Sequence, residues 1–356
     1  MKHIGKSYDK VDAKGILSGK PSYTGDFVPK DALIIKVLRS PHAQAKIKSI
    51  DTSKAKLIPG VEAIFTYEDV PNTRFTLAGQ TYPEPSAYDA LILDSVVRYV
   101  GDEVALVVAK DEATALKAMP LIKVEYEVQK PVLDLRTAMD HETVVHPEDD
   151  ILNHIPVGQD YKRNICVSYH KRVGDIEGEL AKCDYVVEGT YFDQATRQSA
   201  MEPFQSFGYI DHLGRIVIVS STQIVFHVRR HIARALGIPA SKIRVIKPRI
   251  GGGFGSKQTA CTELMTAFVT WKLQKPCYLL YDRTEAQTCS TTRHAREWYI
   301  RVGATKDGII QVIDMDSITD AGAHATHCFT TTTAGEHKSV PLYNKAKAVH
   351  YGTEGV

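Results

Sequence analysis

The chain has 356 residues, 43% of them hydrophobic and 24% charged, which is the composition of a globular protein long enough for two domains. Its 44 basic and 42 acidic residues nearly balance, so the charge gives no indication of a nucleic-acid partner. The longest strongly apolar run, 104–109, is far shorter than the roughly 18–20 residues that cross a bilayer, and no membrane span is predicted.

The first 140 residues are predicted to form a compact α/β domain of short strands and helices. Asp111 has the side chain of a helix N-cap, and the apolar spacing after it predicts a helix to Ala118. Apolar and β-branched runs predict strands at 32–38, 61–66, 104–109 and 121–126.

Residues 141–172 are predicted to be a linker. The segment contains His141, His146, Pro147 and Asp149, and its apolar residues show neither helical nor strand periodicity. No packed element is therefore expected between the two domains.

A second α+β domain is predicted for residues 173–356. Its expected strands lie at 185–191, 207–210, 215–220, 242–247, 298–302, 309–315 and 346–351, and its expected helices lie after Gln223 and at 257–273. The last strand lies close to Val356, with no element after it, so its edge is expected to be unpaired and the domain truncated.

A glycine cluster, Gly251-Gly252-Gly253-Phe254-Gly255, stands between the predicted strand 242–247 and the predicted helix 257–273. Glycines allow a ligand to approach the backbone, and a helix start offers free N–H groups to an anion. The cluster fails the P-loop pattern because Gln258 follows Lys257, and it fails the dinucleotide pattern because Ser256 takes the third glycine position. A tight turn without a ligand is the alternative.

The cysteines and histidines indicate no metal site held by this chain alone. The six cysteines form no CxxC pair, which disfavours an iron–sulfur cluster or zinc ribbon and is typical of a reducing cytoplasm. Four histidines lack the spacing of metal ligands on one helix face and are expected to be structural: His42, His294, His324 and His327.

Several motifs carry a family resemblance, in the same order along the chain. They are Tyr23-Thr24-Gly25-Asp26, Arg39-Ser40-Pro41-His42-Ala43, Tyr99-Val100-Gly101-Asp102-Glu103, Ser221-Thr222-Gln223, Leu236-Gly237-Ile238-Pro239 and the glycine cluster through Gln258. Together they resemble the xanthine dehydrogenase and aldehyde oxidase family. The resemblance implies a mixed α/β fold with an a/b hammerhead domain at 1–140 and the first part of a molybdopterin-binding domain at 173–356.

The same resemblance implies roles for individual residues. Gln223 would donate a hydrogen bond to an oxygen ligand of molybdenum, Phe254 would also lie beside the metal's ligands, and Gln258 would bind a purine substrate. The backbone of four residues would contact the molybdenum–molybdopterin cofactor: Gly252, Gly253, Phe254 and Gly255. The ordinary alternatives are a helix-start residue for Gln223, a core side chain for Phe254 and an exposed helix residue for Gln258.

The activity that the resemblance implies is hydroxylation of hypoxanthine or xanthine with oxygen derived from water. Electrons would pass to 2Fe–2S and FAD groups on an iron–sulfur subunit and an FAD-binding subunit. No catalytic residue is assigned within this chain, because the general base is expected beyond residue 356, in the C-terminal half of the same subunit. The alternatives are a related molybdenum hydroxylase acting on an aldehyde, nicotinate or another N-heterocycle, and a non-catalytic nucleotide-binding or assembly module.

Overall fold

The computed structural model describes residues 3–79, 81–333 and 346–356. The helices that begin and end within these residues are α1 Ala13–Leu17, α2 Ser53–Lys56, α3 Glu112–Ala118, α4 Leu135–Ala138, α5 Ile176–Leu180, α6 Val225–Leu236, α7 Glu263–Leu273 and α8 Arg283–Thr288. The strands are β1 Leu33–Arg39, β2 Ala45–Asp51, β3 Val61–Phe65, β4 Val96–Val97, β5 Glu103–Ala109, β6 Lys123–Val128, β7 Val167–Val173, β8 Tyr185–Asp193, β9 Gln205–Ile210, β10 Ile216–Ser220, β11 Ile243–Ile246, β12 Cys277–Leu280, β13 Arg296–Ala304, β14 Ile310–Thr319 and β15 Ala348–Gly355. The predicted mixed α/β fold is confirmed.

The largest sheet joins strands from both ends of the chain. Its described strands follow the order β11-β10-β9-β12-β1-β5-β3. Strand β1 pairs in parallel with β12, where Leu33 lies opposite Cys277, and antiparallel with β5, where Val37 lies opposite Leu106. Three strands of the expected N-terminal α/β domain therefore continue a sheet formed by later residues. The domain boundary near residue 140 stays a prediction. The sheet itself contains strands from both sides of that residue.

Helices α6 and α7 cover one face of this sheet. Val228, Ile232 and Leu236 recur at helical spacing and are buried in the same cluster as Ile35 of β1 and Ile218 of β10. Gly237 ends α6 with a φ of +64°, a left-handed conformation that glycine adopts at little cost. The helix predicted after Gln223 is confirmed.

Helix α7 begins later than the sequence analysis expected. It starts at Glu263 rather than at Lys257, because Ser256–Gln258 form a single 3-10 turn and Thr259 adopts extended backbone angles. The glycine cluster is therefore separated from the helix N-terminus. The helix dipole does not support anion binding at these glycines, and any ligand there must use the loop itself.

The terminal strand β15 corrects a second expectation. In the sheet with the order β7-β15-β14-β13-β8, β15 pairs in parallel with β14 and antiparallel with β7. Val349 lies opposite Val173 and Ala348 lies opposite Val312, so neither edge of β15 is left unpaired. The prediction of an unpaired edge was wrong because the partner strand comes from residues far away in the sequence.

That partner strand lies in the predicted linker. Val167–Val173 form β7, and Val157 and Val167 are buried with Ala321 and Cys328. The absence of periodicity was misleading because only short pieces of the segment contribute apolar side chains, and these pack against both earlier and later parts of the chain, such as Ala87 and Ala321. Within the described residues, no helix has the length and hydropathy to span a membrane.

Candidate functional site

The glycine loop, residues 251–258, has a backbone that other parts of the chain approach closely. A Cβ atom added to Gly251 would lie 2.6 Å from Cβ of Glu202, and one added to Gly253 would lie 2.4 Å from Oε1 of Gln223. Gly252 and Gly255 have φ angles of +102° and +92°, which side chains rarely allow. Steric contact therefore explains glycine at positions 251 and 253, and positive φ angles explain it at positions 252 and 255.

Gln223 joins this loop to the junction between β10 and α6. Its backbone N–H donates to the carbonyl of Lys257 at 2.9 Å, and its side-chain Oε1 accepts from the N–H of Gly255 at 3.2 Å. The amide oxygen is thereby fixed, and the amide nitrogen donates to no described residue at hydrogen-bond distance. The structure brings together Gln223 and the glycines that the sequence analysis assigned to one site.

Phe254 projects from the loop instead of entering the core. Its side chain is 66% exposed and its φ is +52°. It lines the large cavity of the molecule together with Gly255 and Gln258. The core alternative for Phe254 was wrong, because the flanking glycines turn the chain so that the ring lies outside the packed sheet.

A buried ion pair supports the loop from behind. Lys257 is 1% exposed, and its Nζ donates to the carboxylate of Glu202 at 3.0 Å and to the backbone carbonyl of Glu202 at 3.0 Å. The same carboxylate accepts from the N–H of Gly251 at 2.6 Å and from the hydroxyl of Ser221 at 2.8 Å. Burial lowers the pKa of Lys257, and the negative charge of Glu202 opposes that shift.

Neither Lys257 nor Glu202 was expected to have this supporting role. A lysine in a glycine-rich loop indicates a phosphate ligand, whereas Lys257 points inward to Glu202. Glu202 is followed by Pro203 and lies 55 positions before Lys257. In the sequence, only their opposite charges indicate that Lys257 and Glu202 pair, and many other pairs of residues share that property.

The loop borders a cavity of about 1040 Å³. Phe75, Leu77 and Leu264 contribute apolar walls, and Arg197 and Glu103 contribute charged ones. Among the predicted site residues, Phe254, Gly255 and Gln258 line the cavity. Gln223, Gly252 and Gly253 do not line it, and Gln223 and Gly253 instead meet behind the loop.

Acidic side chains of the cavity are held by neighbouring groups. Glu103 accepts hydrogen bonds from the hydroxyls of Tyr99 at 3.1 Å and Tyr281 at 3.3 Å, and its carboxylate lies 3.3 Å from Arg39. Burial, together with the charge of Glu103, raises the pKa of Asp102 to about 7. These contacts give Glu103 structural partners within the wall, and the backbone N–H of Arg98 donates to Asp102 at 2.7 Å.

Three of the four histidines expected to be structural line the cavity: His294, His324 and His327. The ring Nε2 of His327 donates to the carbonyl of Gln258 at 3.1 Å, and the ring of His294 bonds to the carbonyl of Asp320 at 2.8 Å. They therefore position backbone as well as forming the wall. The fourth, His42, packs against Tyr126 with 4.9 Å between ring centres.

The three histidines of the cavity wall differ in the direction of their pKa shifts, because burial dominates for two of them and a carboxylate dominates for the third. For the first two, burial is the cause. It lowers the pKa of His327 to about 4, and it also lowers the pKa of His294. For His324 burial opposes the charged form, but the carboxylate of Asp89 at 3.4 Å outweighs it and raises the pKa. At neutral pH the ring facing Gln258 is uncharged.

We expect His327→Asn to change the pH dependence of stability. The unfolded chain binds a proton at His327 near pH 6.5, whereas the folded chain does so only near about 4, so this group lowers the stability of the wild type as the pH falls through that window. Asparagine tolerates the φ of +59° at this position. Between about pH 7 and pH 4, the wild type should lose up to about 3 kcal/mol relative to the variant.

Urea unfolding at a series of pH values measures this difference. His212→Asn is the matched control, because His212 is exposed on the turn between β9 and β10. The control should follow the wild type at every pH. Parallel pH profiles for wild type and His327→Asn would contradict the expectation.

Two family models match the chain, and they cover most of it. Residues 18–130 match the model described as the aldehyde oxidase and xanthine dehydrogenase a/b hammerhead domain. Residues 157–356 match the model described as the molybdopterin cofactor-binding domain.

Individual relatives agree with these matches. The chain is 38% identical over 364 residues to the probable hypoxanthine oxidase XdhD of Escherichia coli strain K12, covering 96% of this chain and 38% of that protein. It is 31% identical over 326 residues to the nicotinate dehydrogenase large molybdopterin subunit of Eubacterium barkeri, covering 91% of this chain and 72% of that subunit.

A solved structure shows the same fold. The aldehyde oxidoreductase from Desulfovibrio gigas superposes with a TM-score of 0.83 at 23% identity, covering 99% of this chain and 38% of that one. At this identity the likeness is evidence for the fold alone. The described strands and helices therefore form an arrangement already observed in a solved protein.

Proposed function

Because this chain belongs to the xanthine dehydrogenase and aldehyde oxidase family, we propose that it forms part of a molybdenum hydroxylase that acts on hypoxanthine or xanthine. The observation that carries the proposal is the contact between Gln223 and the glycine loop. The 38% identity to a probable hypoxanthine oxidase supports purines as the substrate class.

The loop has the features that a bound molybdopterin cofactor requires. Gly252, Gly253 and Gly255 leave their backbone without side chains, and Phe254 extends a free ring beside them. Gln223 would use its amide nitrogen to donate to an oxygen ligand of molybdenum, because its amide oxygen already bonds to Gly255. When bound, the cofactor supplies the two-electron oxidation of the substrate with oxygen derived from water.

Gln258 would bind the purine. Its side chain belongs to the cavity wall, and a neutral amide both donates and accepts hydrogen bonds, as the ring of a purine requires. The carbonyl of Gln258 is held by the uncharged ring of His327, so the residue is positioned independently of the substrate. The remaining cavity walls would exclude water from the bound ring.

The rest of the machinery would lie outside these residues. The chain spans 38% of the length of the probable hypoxanthine oxidase, and no described residue of the cavity is assigned as the base. We place the general base in the C-terminal half of the same subunit, and 2Fe–2S and FAD groups on the partner subunits. The buried position of Lys257 gives no support to the alternative of a nucleotide-binding module.

A second substrate class has support of its own. The nicotinate dehydrogenase subunit is 31% identical, and the chain covers 72% of its length. Nicotinate carries a carboxylate that purines lack, and Arg197 of the cavity wall is a candidate cation for it. Steady-state kinetics of the complete enzyme on hypoxanthine, xanthine and nicotinate separate the two. A preference for nicotinate in kcat/KM would replace the purine proposal.

We expect the purified 356-residue chain to show no xanthine-dependent dye reduction and to contain no stoichiometric molybdenum. The physical reason is that a missing general base alone lowers turnover by about 10²–10⁴-fold. Dye reduction and elemental analysis are the measurements. Co-expression with the C-terminal half and the partner subunits should be the minimum for activity, and clear turnover by the chain alone would overturn this assignment.

A further inference from the structure

A row of polar residues crosses three strands of the sheet that contains β15. His170 of β7 lies opposite Gly352 of β15, and Gly352 lies opposite Asp316 of β14. His350 lies two positions before Gly352, so its side chain points to the same face of the sheet. One ring nitrogen of each histidine and one carboxylate oxygen of Asp316 all lie within 4.8 Å of one another.

Gly352 leaves the space into which these side chains converge. A Cβ atom added to it would lie 2.3 Å from Oδ1 of Asp316 and 2.9 Å from Nδ1 of His170. The two flanking side chains therefore lean over the middle strand from opposite sides. Any larger residue at position 352 would occupy the gap between them.

Each histidine is oriented by a separate carboxylate. Nε2 of His170 lies 2.8 Å from Oε1 of Glu354, and Nδ1 of His350 lies 2.8 Å from Oδ1 of Asp314. A ring nitrogen that donates to a carboxylate leaves the other nitrogen as a neutral electron-pair donor, which is the form that binds metals. The two rings are nearly parallel, with an angle of 11° between them.

The charge around the row favours a cation. Asp314, Asp316 and Glu354 contribute three carboxylates, and Arg301 neutralises Asp314 at 2.6 Å. Within residues 3–79, 81–333 and 346–356, no lysine or arginine lies within 4 Å of Asp316. A divalent ion beside Asp316 would therefore meet uncompensated negative charge.

We propose that His170, Asp316 and His350 bind one divalent transition-metal ion, for which Zn²⁺ is the matching probe. Two imidazoles and one carboxylate are a common zinc ligand set, with bonds of about 2.0–2.2 Å. The ligand atoms must approach one another slightly, and they are free to do so because the side chains of His170 and Asp316 are each 54% exposed. The ion would join β7, β14 and β15 across the face of the sheet.

Two other groups of possible ligands are less suited to an ion. Glu84, His227 and His231 already surround the guanidinium of Arg230, which lies 2.9 Å from Glu84 and 2.7 Å from His227. In the group of Asp89, His146 and His324, Asp89 also accepts from the N–H of Ala325 at 2.7 Å and is fully buried. In the first group the guanidinium of Arg230 already takes the place of a cation, and in the second group Asp89 is buried and already accepts a backbone hydrogen bond.

Titration of the full chain with Zn²⁺ by calorimetry tests the site. We expect one ion per chain, with binding lost in His170→Ala and His350→Ala. Gly352→Ala should also abolish binding, because it fills the gap without removing a ligand. Glu354→Gln should weaken binding by about 10–100-fold, the usual effect of removing the partner of a metal-binding histidine. His212→Ala and Asp307→Asn are matched controls on exposed turns and should bind as the wild type does.

Thermal unfolding supplies a second readout, because an ion that binds only the folded chain raises the melting temperature. If a variant fails to fold, the wild-type histidines can be modified with diethylpyrocarbonate in place of the variant titration. Zn²⁺ should then protect His170 and His350 from modification but not His212. The absence of stoichiometric Zn²⁺ binding would overturn the proposal. So would binding that persists in both histidine variants, or protection confined to His227 or His146.

Discussion

Replacing Lys257 by methionine is expected to lower the free energy of unfolding of the chain by about 3–5 kcal/mol. The Lys257 side chain is 1% exposed, and its ammonium group contacts the Glu202 carboxylate at 3.0 Å. Removing it leaves that carboxylate buried without its counter-charge, although the N–H of Gly251 and the hydroxyl of Ser221 still donate to it. The desolvation of Glu202 then lacks its main compensation, which is the reason for the large value.

Urea unfolding at neutral pH measures the loss. Lys242→Met is the matched control, because Lys242 is exposed, and surface substitutions of this kind usually change stability by less than about 0.5 kcal/mol. The double variant Glu202→Gln, Lys257→Met should be more stable than Lys257→Met, because it removes the uncompensated charge. A loss for Lys257→Met as small as that for the control would show that the ion pair does not support the loop.

Replacing Gln223 by alanine in the complete enzyme is expected to lower kcat by about 5–150-fold, which corresponds to one hydrogen bond worth about 1–3 kcal/mol in a buried site. The expectation rests on the proposed contact with an oxygen ligand of molybdenum. Gly253→Ala should have a similar effect, because its Cβ would lie 2.4 Å from Oε1 of Gln223 and displace the amide. Two different substitutions would then disturb the same group.

Kinetics on two substrates distinguish this role from that of Gln258. Gln223→Ala should lower kcat on xanthine and on a small aldehyde alike, whereas Gln258→Ala should chiefly raise KM for xanthine. Gln311→Ala is a matched control, since that amide bonds to the carbonyls of Ile309 and Ile310. Equal losses on both substrates for Gln258→Ala would remove it from the purine site. An unchanged kcat in Gln223→Ala would remove Gln223 from the metal's surroundings.

Much of the local structure could be predicted from the sequence. The Asp111 cap, the strands expected at 207–210 and 215–220 and the helix after Gln223 all appear as expected. Capping, turn chemistry and apolar periodicity are properties of neighbouring residues, so they can be inferred without knowing what packs on them. The association of Gln223 with the glycine loop was also anticipated, but through the family resemblance.

The expectations that failed depended on residues far apart in the sequence. Helix α7 begins at Glu263 because the chain first turns Lys257 inward to Glu202, and β15 is paired on both sides because β7 comes from the predicted linker. Strand pairing and buried ion pairs are contacts between distant segments, and no local pattern identifies the partner.

The family of the chain and its local turns and helices can be identified from the amino-acid order, because they depend on motifs and spacings that neighbouring residues carry. Three other features are visible only in the folded chain: β1 and β12 share a sheet, Glu202 supports the glycine loop, and His170 and Asp316 converge over Gly352. The physical reason is that burial and pairing convert separate polar residues into contacts of defined distance, and those contacts exist only after the strands have found their register.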